Sequence, residues 1–168
     1  MLATLRALYG YNTWATERLL EVAAGLTSEQ WLAPGNAGRG SVRDTLVHQI
    51  SAQRSWLGWW AGTVSADQRS QLRLDPAAFP DLPAVRAIWS ETDQATRDFF
   101  DGLTDADLSR VYRTTTSDGR AFRLPLWQMM AHVANHGTQH RSEVAAMLTG
   151  FDRSPGDLDM LIFFKQFG

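Results

Sequence analysis

From Leu126 to Thr149 the apolar residues return every three or four positions, the period of an α-helix with one buried face. Taking Val133 as the zero of phase and about 100° per residue, Leu126, Met129, Met130, Gly137, Val144, Met147 and Leu148 fall within about 60° of it. A stripe of this length has to be buried against other elements, so it commits the chain to a helical core. Pro125 suits the first turn of this helix and Gly150 its end.

Three further segments carry the same period. Leu2, Leu5, Tyr9, Asn12, Thr16, Leu19, Leu20 and Ala23 share a face up to about Gly25, followed by Thr27 and Gln30 spaced as a capping box for a short turn. After the loop Pro34 to Gly40, Ser41 can cap a helix reaching about Gly62, with Asp44 in its first turn. A third pattern starts near Asp81 to Pro83 and runs to Gly102, with Val85, Ile88, Trp89, Thr92, Thr96, Phe99 and Leu103 inward. Residues 63–80 are polar and aperiodic, a connection longer than a bundle turn. Thr104 to Asp107 resembles another helix entry. Val111 to Thr116 and Arg120 to Leu124 flank Ser117-Asp118-Gly119, which predicts a small β-hairpin. The apolar tail from Asp157 to Phe167 predicts a short final helix packed on the rest. The expectation is an all-α, antiparallel four-helix bundle with a β-hairpin insertion, one domain over residues 1–168.

Composition narrows the function. With 44% hydrophobic and 20% charged residues and a net charge of -2, the chain has a globular make-up and no electrostatic footprint for nucleic acid. It contains no cysteine, which removes disulfides, a thiolate nucleophile and Cys-ligated metal sites, and fits a reducing compartment. The first ten residues lack a signal-peptide core and no run reaches the roughly 18 apolar residues of a membrane span. A cytoplasmic protein with no membrane partner is expected. The seven tryptophans, several of them at helical spacing, suggest an apolar contact between two copies and hence a homodimer.

Three of the four histidines lie in His132-Val-Ala-Asn-His136-Gly-Thr-Gln-His140. Residues four apart share a helix face, so two imidazoles at that spacing can meet one ion. His132 and His140 are about 12 Å apart along the axis, too far for one metal. Phase separates the two remaining pairs: His140 lies at about -20°, His136 at about -60° and His132 at about -100°. His136 and His140 are therefore the inward pair and His132 is a flank residue. The same pattern also suits two buried, hydrogen-bonded imidazoles. Phase does not place His48, whose side of its helix carries Thr45, Ala52 and Ser55. That side reads equally as a cavity wall or a solvent face. Asn12 is a polar residue on an apolar stripe, which suits either a substrate-binding position or a buried hydrogen bond. Asp44 is a possible support for His48 or a helix-start charge, and Arg141 reads as a surface or interhelix ion pair.

The segment Leu126-Trp-Gln-Met-Met-Ala-His132-Val-Ala-Asn-His136-Gly-Thr-Gln-His140-Arg141 follows Tyr11-Asn12-Thr-Trp14-Ala and Ser41-Val-Arg-Asp-Thr-Leu-Val-His48. In that order, over almost the whole chain, it resembles the DinB-like metal-binding four-helix-bundle family. The resemblance implies metal ligands at His48, His136 and His140. The usual continuation of the family is His-Arg-Gly-Gln, whereas this chain has His140-Arg141-Ser142-Glu143.

Three neutral imidazoles leave a coordination position open, as in catalytic sites. One divalent metal ion is expected, zinc first, with nickel, iron or manganese as alternatives. The resemblance implies a metal enzyme more strongly than it implies a reaction, since characterised relatives include S-transferases and isomerases dependent on bacillithiol or mycothiol and others are described as metal-dependent hydrolases; the leading expectation is a transferase that uses a low-molecular-weight thiol cosubstrate. A hydrolase using metal-bound hydroxide is the alternative, although no His-Glu-x-x-His motif supplies its general base. A stress protein that binds metal or ligand without catalysis is the third reading. No catalytic residue beyond the metal ligands is legible. The expected partner is a small-molecule substrate.

Overall fold

The protein is described here from a computed structural model covering residues 1–115 and 120–168. Four long helices carry the fold: α1 (Leu2–Ala23), α3 (Val42–Trp60), α4 (Leu82–Asp101) and α5 (Leu126–Gly150), with short α2 (Ser28–Leu32) and α6 (Met160–Phe167). Their starts are set by side chains. Thr27 with Gln30 and Ser41 with Asp44 form capping boxes, and Asp81 accepts from Ala84 N–H at 3.0 Å. Each cap satisfies N–H groups that the first helical turn leaves without partners. Pro125 sits one position earlier than expected, closing the preceding strand and leading into α5.

The helices pack in a closed ring, with α1 and α3 each against both α4 and α5. Arg6–Asp101 and Thr13–Asp93 contacts make α1 antiparallel to α4. Trp56 against His132 and His48 against His140 make α3 antiparallel to α5. Arg54–Glu91 and Trp60–Phe99 show that α3 and α4 run in the same sense. That topology explains the long 61–81 connection, which must travel the length of a roughly 30 Å helix to return. The connection contains 3-10 helices at Asp67–Leu72 and Pro76–Ala78, packed on the flank of α3.

The helix entry expected at Thr104 to Asp107 is only a 3-10 turn, Asp107–Ser109. It leads into β1 (Val111–Thr115), paired antiparallel with β2 (Ala121–Pro125) so that Tyr112 faces Leu124. The expected turn at Ser117-Asp118-Gly119 lies outside the described residues.

All eight apolar or glycine positions assigned to the inner face of the last long helix are buried in α5. Near the C-terminal end of α4 the buried phenylalanine is Phe100, with Phe99 half-buried, a shift of one residue where the helix nears its end. Tryptophans account for much of the core: Trp31, Trp59, Trp60 and Trp89 are buried within the one chain, and Trp56 is half-buried. No helix among the described residues is long and apolar enough to cross a membrane.

A polar layer crosses this core. Arg141 donates to Asn12 Oδ1, Asn12 Nδ2 donates to Gln53 Oε1 at 3.0 Å, and Gln53 Nε2 donates to Thr96 Oγ1 at 3.0 Å. One side chain from each long helix takes part. Gly137 makes room for it, since a Cβ there would lie 2.6 Å from Asn12 Oδ1 and 2.8 Å from Arg141 Nη1.

Candidate metal centre

The α5 backbone places His136 and His140 one turn apart on the side facing α3, as their phase requires. Their Nε2 atoms are 3.1 Å apart. Two ligands about 2.0–2.1 Å from one ion have a separation of about this size. His48 arrives from the middle of α3, with its ring centroid 4.7 Å from that of His140 and 5.3 Å from that of His136. One nitrogen from each of the three lies within 4.8 Å of the others, a group that could hold a metal ion. His132 stays outside, packed edge-on to Trp56 with centroids 5.7 Å apart.

Glu143, one turn beyond His140, completes the arrangement. Its Oε2 lies 2.5 Å from His140 Nδ1. A carboxylate can only accept, so this contact keeps the proton on Nδ1 and leaves the Nε2 lone pair facing His136. Gln139 Nε2 donates to the other oxygen at 3.1 Å. Burial by itself raises the Glu143 carboxyl, but the hydrogen bonds from His140 and Gln139 hold it below the usual carboxylate range. The sequence offered the i,i+3 spacing of His140 and Glu143 as a signal, but the spacing alone does not say which rotamers meet.

The electrostatics favour neutral imidazoles. Burial is the largest cause lowering His48 to about 4, followed by the nearby His140, Arg39 and Arg73. Burial likewise lowers His136 to about 4, with His140 and His48 adding to it. Both are unprotonated donors at neutral pH, the form that ligates metal. Donor type, convergence and protonation state all fit a divalent ion.

His48 also lines a cavity of about 570 Å³, together with Ser51, Ala52, Ser55, Trp56 and several arginines. The small, polar side of α3 is therefore a cavity wall. Asp44, one turn before His48, is committed elsewhere: its side chain accepts from Ser41 N–H at 3.3 Å and from Arg43 Nε at 2.9 Å. Asn12 is buried in the polar layer, connected to this region through Arg141, the neighbour of His140.

Arg141 corrects the sequence reading. It is buried, 2% exposed, and among the described residues it has no carboxylate partner. Its partners are Asn12 Oδ1, Thr138 Oγ1 at 2.9 Å and the Tyr11 ring, 5.2 Å from the guanidinium carbon. Burial pushes the guanidinium down to about 10, so it keeps its proton at neutral pH. On α5 it lies about 100° round the helix from His140 and faces α1, so it is neither a surface residue nor half of an ion pair.

The likeness to known proteins agrees with this geometry. The chain is 21% identical over 164 residues to Protein DinB of Bacillus subtilis (strain 168), a match covering 95% of this chain and 94% of that one. The model of the DinB family matches residues 1–165. With nearly its whole length matched and the three histidines gathered at one place, the chain belongs to the DinB family.

Proposed function

We propose that this protein is a metal-dependent transferase that joins a low-molecular-weight thiol to an electrophilic small molecule at His48, His136 and His140. The observation that carries the reading is the meeting of three imidazoles beside a small-molecule-sized cavity, with His48 belonging to both. A divalent ion, zinc by donor preference, supplies Lewis acidity and stabilises a thiolate when bound. Nickel, iron and manganese accept the same donors.

The chain's own contribution is positional. Glu143 fixes the His140 ring and its tautomer, burial keeps His48 and His136 unprotonated, and the cavity admits the reactants. With no cysteine in the chain, the attacking sulfur comes with the cosubstrate. It forms a bond to the electrophilic carbon as the bond to the leaving group breaks. The electron pair departs with the leaving group and the thiol proton passes to solvent.

The hydrolytic alternative is less well supported because its general base has no evident source. Asp44 caps α3, Asp75 accepts from Ala77 N–H at 3.0 Å, and Glu143 is bound to His140 and Gln139. Elemental analysis of the purified protein, with a screen of small thiols against an aryl halide, tests the proposal. Stoichiometric divalent metal and thiol-dependent loss of the halide are expected. Ester hydrolysis without any thiol requirement favours the alternative, and metal without turnover favours a binding protein.

A further inference from the structure

The cavity beside His48 is rich in positive charge although the chain as a whole is negative. Arg39, Arg43, Arg69 and Arg73 line it, against only Asp44 and Asp75. Arg43 is paired with Asp44 at 2.9 Å. The other three guanidinium groups have no carboxylate partner among the described residues, and Arg69 Nε is buried without any hydrogen-bond partner. An unpaired buried donor is costly unless something occupies it.

The Arg69 side chain and the backbone that carries Arg39 and Arg73 are also held in place. Arg69 sits over the Trp56 ring, its guanidinium carbon 3.6 Å from the ring centroid, while its backbone carbonyl accepts from Ser55 Oγ at 3.2 Å. Leu74 N–H donates to Ser51 Oγ at 3.0 Å, fixing the segment that carries Arg73 onto α3. Arg39 sits between Gly38 and Gly40, both at positive φ, and its N–H donates to Thr45 Oγ1 at 3.0 Å. Burial and the charge of Arg73 both lower Arg69, so the two guanidinium groups share one local field.

We propose that this cavity seats the anionic end of a small molecule, a carboxylate or a phosphate, on Arg39, Arg69 and Arg73, with the rest of the molecule extending toward His48. Guanidinium forks match both oxyanions in geometry and charge. Identification of the anion as part of a substrate rests on the metal-site reading above, whereas the seat itself does not.

Calorimetric titration of the metal-free, full-length protein with succinate, inorganic phosphate and neutral succinamide separates the two. Saturable binding of succinate or phosphate, and none of succinamide, is expected, and the stronger of the two identifies the oxyanion class. The Arg69→Gln, Arg73→Gln double variant should weaken it by about tenfold or more, while Arg153→Gln on another surface leaves it unchanged. Should loss of the Trp56 stack unfold the double variant, Arg73→Gln alone, on the exposed rim, should still weaken binding severalfold. Zinc affinity should be unaffected in these variants. Absence of saturable anion binding, or equal binding by Arg73→Gln and the unaltered protein, overturns the proposal. Anion binding by a protein that takes up no zinc in a parallel zinc titration leaves the seat standing and overturns the metal-site reading instead.

Discussion

Glu143 accepts from His140 across one helical turn, at 2.5 Å, and so orients one of the three clustered imidazoles. Carboxylates behind ligating histidines fix the tautomer and raise ligand basicity, and their loss typically costs about 10- to 100-fold in metal affinity. Glu143→Ala should weaken zinc binding by about that factor with little change in helix content. Competition with a chromophoric chelator, beside far-ultraviolet circular dichroism, measures both. Unchanged affinity would show that the contact does not support the site.

The four histidines divide three to one. Replacing His48, His136 or His140 by Ala should sharply reduce metal occupancy, whereas His132→Ala should retain most of it, because His132 packs on Trp56 outside the cluster. Elemental analysis of the four variants gives the answer. Equal loss for His132→Ala and His140→Ala would overturn the assignment.

Acid should destabilise the metal-free protein through the same residues. In the unfolded chain His48 and His136 titrate near the ordinary value of about 6.5, but in the fold both are lowered to about 4. Between these values the unfolded state binds more protons, so stability is greatest above about pH 6.5 and falls as pH drops toward 4. Urea unfolding at several pH values in that window measures the slope. A His48→Gln, His136→Gln variant should show a shallower one.

Gly137→Ala should destabilise the fold by about 1–3 kcal/mol, since the added methyl meets Asn12 and Arg141. Asn12→Ala should cost about 2–3 kcal/mol, because it leaves the buried Arg141 and Gln53 short of partners. Thermal melts report both. For Asn12→Ala, an unchanged melt with a raised KM would instead mark a substrate contact.

Local chemistry along the chain determined the helices and two of the three clustered histidines. Ser41 with Asp44, Thr27 with Gln30 and Asp81 set helix starts through neighbours three residues away, and the 3.6-residue turn chose His136 and His140 over His132. These relations lie within one element, so backbone geometry is enough to read them. The approach of His48, the burial of Arg141 and the gathering of Arg39, Arg69 and Arg73 around one cavity were decided by tertiary structure. They depend on which face of α3 meets α5, on how α1 packs on α5 at Asn12, and on how the loop before α3 and the 61–81 connection lie against α3. Those arrangements come from packing between segments distant in sequence, and no periodicity within a single segment encodes them.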